Sequence, residues 1–344
     1  MSKKIAELIG DKKTVSLAGM CKNAGKTTVL NTLITQMSEK DIRLGLTSIG
    51  RDGETSDLVT NTAKPRIYIK EGTITATAAG LLQNCDITKE ILMTTGIHTP
   101  LGEIVLIRAL SDGFVDLAGP SMNQQLVMLS RLFLEFDTDK ILIDGAISRK
   151  SLCAREVSEA VILCCGASYH KDIDLVVNDT AFVCELLSLK CPDKNEVSLQ
   201  FHKWRKETNK KYLFLDEDGE KIKAEADGKL SDFLRDKVYA GTKYVFINGA
   251  CTDALLNPLF LSNVDLKGKI FVVTDSSKLL IGSDVYEKLL RKGACLKVAD
   301  EIELLAVTIN PFSAYGNHFD KDEFEEKMKN KLKIPVFNVR EDTF

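Results

Sequence analysis

The chain has 344 residues, enough for one large α/β domain or two smaller ones. It is 44% hydrophobic and 28% charged with a formal net charge of −3, the balance of a soluble globular protein, and it offers no electrostatic footprint for DNA or RNA. No apolar run is long enough to span a bilayer, the start Met1-Ser-Lys-Lys4 opens no secretory leader, and nine scattered cysteines without a Cys-x-x-Cys pair fit reduced thiols in a cytoplasm.

Residues 1–13 read as a short helix. The β-branched and apolar run Thr14 to Ala18 then predicts a buried strand. A loop holding Gly19 and Gly25 follows, ends in Gly25-Lys26-Thr27-Thr28, and opens into the helical pattern Val29, Leu30, Leu33, Ile34, Met37, which runs to about Glu39. Strand, glycine loop and helix in that order are the context of a phosphate-binding loop. Backbone N–H groups of such a loop, with the positive end of the helix, make a concave anion site. Gly25 lets the backbone approach a phosphate, Lys26 would reach the β- and γ-phosphates, and the Thr27 hydroxyl would hold Mg²⁺. Gly19, Lys22, Asn23, Ala24, Gly25, Lys26, Thr27 and Thr28 are therefore the nucleotide-binding candidates. An ordinary glycine loop with a solvated lysine is the alternative.

Arg43 to Ile49 reads as the second strand, ending in Gly50-Arg-Asp-Gly-Glu54 and then Asp57. Chemistry gathers where the strands of an open parallel sheet end. Asp52 or Glu54 could hold Mg²⁺ directly or through water, Asp52 is a catalytic candidate beside Lys26, and Arg51 could meet phosphate or an acidic substrate. A polar glycine turn explains the same residues. Pro65 to Ile69 predicts a strand, and Thr75 to Leu82 a helix of small residues. Glu90 to Thr95 and Gly102 to Ala109 read as strands separated by Gly96 to Pro100. Gly113 to Gly119 reads as another strand, with Ser121 capping a helix through Leu134.

Lys140 to Ala146 is an apolar strand carrying Asp144 at its end, a second candidate for Mg²⁺ or its water, with Ser148, Arg149 and Lys150 beyond it; an aspartate that only caps the next turn is the alternative. Glu159 to Gly166 is the next strand, leading to a helix near Ile173 to Leu189. Composition shifts to charged residues over 191–227, where Tyr212 to Ile222 predicts a hairpin. From Leu230 the alternation returns: strands Tyr244 to Asn248 and Lys269 to Thr274, helices near Cys251 to Phe260 and Asp284 to Arg291, with Thr252 or Asp253 and Ser283 as caps. Glu303 to Phe312 is a strand ending in Asn310-Pro311, followed by a charged helix, Lys321 to Leu332, and by Ile334 to Val339.

The loop Gly19-x5-Gly25-Lys26-Thr27 resembles that of dethiobiotin synthetases and cobyrinate diamide synthases, within the P-loop class of the MinD-type ATPases and cobalamin-chaperone GTPases. The MinD type has an extra lysine five residues before the last, where this chain has Cys21, with Lys22 next to it. Asp144-Gly-Ala146 resembles the Glu-Gly-Ala segment of dethiobiotin synthetase. The chain's ending also resembles that family's, which implies that Asn310, Pro311 and Val336 to Arg340 lie near the nucleotide base. Gly19 to Thr28 further resembles the loop of the P-loop proteins associated with reactivation of lysine 5,6-aminomutase, an adenosylcobalamin enzyme.

The expected fold is α/β, a mostly parallel, helix-flanked sheet of P-loop type. Residues 1–190 would form the nucleotide-binding core, 191–300 an inserted or second α/β portion, and 301–344 the strands and helix completing the base site. The expected cofactors are ATP or GTP, with ATP favoured, and Mg²⁺. Three functions fit. The first is an accessory nucleoside triphosphatase acting on a partner enzyme, for which the resemblance suggests an adenosylcobalamin aminomutase. The second is an ATP-dependent carboxylate-activating ligase. The third is a nucleotide-binding module without turnover. A partner protein is expected, a homodimer is left open, and neither nucleic acid nor membrane is expected as a partner.

Overall fold

Strands and helices alternate along most of the chain in a computed structural model, which describes residues 4–50, 66–146, 154–223, 228–236, 239–262 and 264–338. A 3-10 turn, Ile5–Ile9, precedes β1 (Thr14–Gly19), α1 (Lys26–Ser38) and β2 (Leu44–Ser48). Then come β3 (Ile67–Ile69), β4 (Ile74–Ala78), β5 (Lys89–Thr99), β6 (Gly102–Ala109) and β7 (Gly113–Val115), followed by α2 (Asn123–Glu135), β8 (Lys140–Ala146), β9 (Ala160–Gly166) and α3 (Ile173–Leu187). Next are α4 (Asn195–Glu207), β10 (Tyr212–Leu215), β11 (Lys221–Lys223), α5 (Leu230–Arg235), β12 (Tyr244–Ile247), β13 (Cys251–Thr252) and α6 (Asp253–Leu261). They are followed by β14 (Ile270–Val273), β15 (Leu279–Leu280), α7 (Ser283–Arg291), β16 (Cys295–Val298), β17 (Glu303–Asn310), α8 (Lys321–Lys331) and β18 (Val336–Asn338).

The chain divides into two units, Met1–Val183 with Glu303–Phe344, and Cys184–Ile302. The first is built on a nine-stranded sheet in the order β18-β17-β9-β1-β8-β2-β4-β6-β5. From β18 through β4 all neighbours are parallel, while β6 and β5 add an antiparallel hairpin at the edge. Its central strands are apolar almost throughout because helices cover both faces. The alternation along β8 shows this: Leu142 packs with Val29, Leu33 and Met37 of α1, while Ile141 and Ile143 pack with Leu126, Leu129 and Phe133 of α2. The α/β class with a large, mostly parallel sheet is thus as expected.

Three local expectations are corrected. Residues 74–78 form β4 rather than a helix, and only Ala79–Asn84 coil, as a 3-10 turn. The small residues that suggested a helix are there because β4 is buried between β2 and β6, and its alternating Thr75 and Thr77 suit a strand. β5 continues through Gly96 to Thr99, so the turn falls at Pro100-Leu101. The N-caps of α2 and α7 are Met122 and Gly282, not Ser121 and Ser283, and neither makes a side-chain cap bond.

The second unit holds a five-stranded sheet, β11-β10-β12-β14-β16. β12, β14 and β16 are parallel, and β10 and β11 form the expected antiparallel hairpin on one side. Helix α4 covers it with Val197, Phe201 and Trp204, spaced four and three apart on one face, against Leu213, Leu215, Phe246 and Val272. Phe201 stacks on Phe246 with ring centres 4.6 Å apart. Among the described residues no helix is long and apolar enough to cross a membrane.

Candidate functional site

Parallel pairing brings the carboxyl ends of β2, β8, β1, β9 and β17 to one edge of the nine-stranded sheet. The register places Gly19 beside Ala146 on one side and Cys164 on the other, and Asp144 between Leu17 of β1 and Ser48 of β2. The loop 20–25 leaves β1 at this edge and is anchored at its start, where the Met20 N–H donates to the Cys164 carbonyl at 2.8 Å. Asn23 and Gly25 both have left-handed backbone, with φ of 60° and 91°. That conformation costs glycine nothing and suits asparagine better than most residues.

Gly25 is the N-cap of α1 and supplies no side-chain acceptor. The N–H groups of Lys26, Thr27 and Thr28 precede the first helical bond, Val29 N–H to the Gly25 carbonyl at 3.1 Å. The helix therefore presents its positive end to the loop without an internal counter-group.

Lys26, the first residue of α1, turns back over β1. A Cβ placed on Gly19 would lie 2.7 Å from Lys26 Nζ and 2.8 Å from its Cδ. Gly19 is thus the floor on which the lysine side chain rests. Strand alternation explains the arrangement, since Gly19 shares the face of Val15 and Leu17, which pack toward α1.

Asp144 shares the face of Leu142, and so also lies toward α1. Its side chain is partly buried, and its Oδ1 is sealed from solvent with no hydrogen-bond partner among the described residues. Burial pushes its carboxyl above the usual carboxylate range, opposed by the charge of Lys26 and by the Gly145 N–H. A buried carboxylate oxygen without a donor is costly unless a cation or a bound water completes it. Asp144 and the partly exposed Thr27 on the first turn of α1 are oxygen donors of the kind Mg²⁺ takes.

Asn310 serves the loop directly. Its Nδ2 donates to the Asn23 carbonyl at 3.2 Å, and its Oδ1 accepts from the Phe312 N–H at 3.2 Å. Pro311 is buried behind it. The amide of Asn310 is thus engaged in bracing the loop. Lys22 and Thr28 are exposed, and Ala24 is fully buried. Arg51, Asp52, Glu54 and Asp57, with Ser148 to Lys150, Val339 and Arg340, lie outside the described residues.

Sequence reading missed two neighbours. The segment Ala118-Gly119-Pro120 is not strand but crosses the end of β2. Gly119 N–H donates to Ser48 Oγ at 3.1 Å, and Gly50 N–H to the Pro120 carbonyl at 3.0 Å. A Cβ on Gly119 would stand 1.8 Å from the Ser48 carbonyl, so only glycine fits this crossing. Two thiols also sit here: burial pushes Cys21 and Cys164 up to about 11, so both are neutral at physiological pH. No local signal marks either feature, since each depends on which strand lies next to β1 and β2. Comparison of the chain with protein-family models, with curated proteins and with solved structures found no match.

Proposed function

We propose that the chain is a Mg²⁺-dependent nucleoside triphosphatase, with ATP preferred, whose turnover acts on a partner protein. One observation carries this reading: Lys26 folds from the open end of α1 onto Gly19, while Oδ1 of Asp144, without a hydrogen-bond partner among the described residues, stands near the end of the neighbouring strand on the same face. In such a site the loop N–H groups and Lys26 hold the triphosphate, and Thr27 and Asp144 hold Mg²⁺ or its waters. The bound cation supplies neutralisation of phosphate charge. The chain's own residues supply position: Gly25 opens the backbone, Gly19 seats the lysine, and Asn310 fixes the loop. The aminomutase class suggested by the loop's resemblance is the first partner to try.

Calorimetric titration with Mg-ATP and Mg-GTP, followed by phosphate release with and without candidate partners, tests the reading. Slow release accelerated by a protein partner is expected. Release that awaits a small carboxylate would turn the reading to a ligase. Failure to bind either nucleotide would end it.

A further inference from the structure

The five-stranded sheet has a cavity of its own. Because β10 runs antiparallel to β12, its first residue, Tyr212, pairs with Ile247 at the carboxyl end of β12. There a cavity of about 280 Å³ opens between the start of β10, the turn into α5 and the first half of α6. Carboxyl edges of open α/β sheets are where such folds bind ligands.

The lining separates by chemistry. Leu255 and Pro258 form an apolar wall, and Ser231 and Thr252 contribute hydroxyls. Thr252 Oγ1 already accepts the Leu255 N–H at 3.2 Å, which leaves its own O–H free to donate. Lys211 and Lys229 complete the lining, which has no acidic side chain among the described residues. The Lys211 ammonium lies 5.4 Å from the centre of the Tyr212 ring, which holds it at the rim. Neither lysine has a carboxylate within salt-bridge distance among the described residues, whereas Lys70, Lys297 and Lys327 do. Both lysines are exposed, so they bring positive charge to the mouth of the cavity, where an anionic group can meet it.

We infer that this cavity binds a small organic oxyanion, a carboxylate or a phosphate monoester on a short apolar body. The lysines and hydroxyls take the charged head, and Leu255 and Pro258 take the body. The site is independent of the nucleotide reading, since all its residues belong to the second unit.

The test is calorimetry on the full chain carrying Lys26→Ala, so that the phosphate loop does not compete. Hexanoate, butyl phosphate and neutral hexanol are the probes. Saturable binding of at least one anion is expected, weakened about tenfold or more by Lys211→Ala with Lys229→Ala, as loss of charge-assisted contacts requires. Leu255→Trp, which fills the cavity, should also remove binding while leaving the circular dichroism unchanged. The tighter of the two anions identifies the head group. No saturable anion binding, anion binding indifferent to both lysine changes, or equal binding of hexanol would overturn the inference.

Discussion

The two sheets end their parallel strands in opposite ways. At the β1–α1 junction the helix begins at Gly25, which has no side chain to cap it, and the first-turn donors are left open. At the β12–α6 junction Thr252 caps the Leu255 N–H, Asp253 accepts the Gly282 N–H at 3.0 Å, and Asn248 donates to the Lys210 carbonyl at 3.1 Å. One junction leaves its first-turn donors without a side-chain cap; the other engages its own within the fold. The lesson is that the same strand–loop–helix plan yields a backbone cradle or a side-chain-lined cavity, depending on whether the capping position carries an acceptor.

The largest expected effects come from the cores beneath the two edges. Phe133→Ala and Phe201→Ala each remove a fully buried ring, and each should cost about 3–5 kcal/mol. Denaturant midpoints measure this, and equal losses would mean the edges differ in chemistry rather than in support. Next comes Lys26→Ala, which should weaken Mg-ATP binding about tenfold or more, since hydrogen bonds to charged groups contribute about 1.5–3 kcal/mol. Gly19→Ala should reproduce that loss with little change in melting temperature, because the added Cβ meets the flexible lysine side chain. If Gly19→Ala bound nucleotide normally, the seat assigned to Lys26 would be wrong.

Thr252→Ala should cost about 1 kcal/mol of stability and leave Mg-ATP affinity unchanged. A loss of nucleotide binding in that variant would erase the contrast between the two junctions. The smallest effect lies at the amino edge of the first sheet, where Arg43 donates to both oxygens of Asp139 at 3.2 Å. The guanidinium, with the Arg43 N–H, holds the Asp139 carboxyl below its ordinary 3.8. A depressed carboxylate contributes stability above its unfolded pKa and loses it as pH falls through the folded value. Unfolding midpoints of Asp139→Asn and the parent chain should therefore differ slightly at pH 6 and converge only as pH falls from ~3.8 through the lower, folded-state value.

Much of this was legible because it is local. β1, the glycine loop and α1 occupy one continuous stretch, so alternation, Gly25 and the 3.6-residue spacing of Val29, Leu33 and Met37 suffice to place them. The hairpin of β10 and β11 and the cap Thr252 are local in the same sense. Helix α4 shows the limit: Val197, Phe201 and Trp204 carry a helical period, but it went unread in a stretch noted only for its charge and its hairpin.

By itself, then, the sequence determined the class of fold and the candidate phosphate loop with Lys26 at its end, since bonds within a few residues specify them. Only the tertiary structure decided that β8 lies between β1 and β2, which brings Asp144 beside the loop from more than a hundred positions away. It alone decided that Gly119 crosses β2, and that Asn310 braces Asn23 rather than standing free. Strand order reflects which apolar faces bury best against which helices, a sum over the whole core that no short stretch of residues contains.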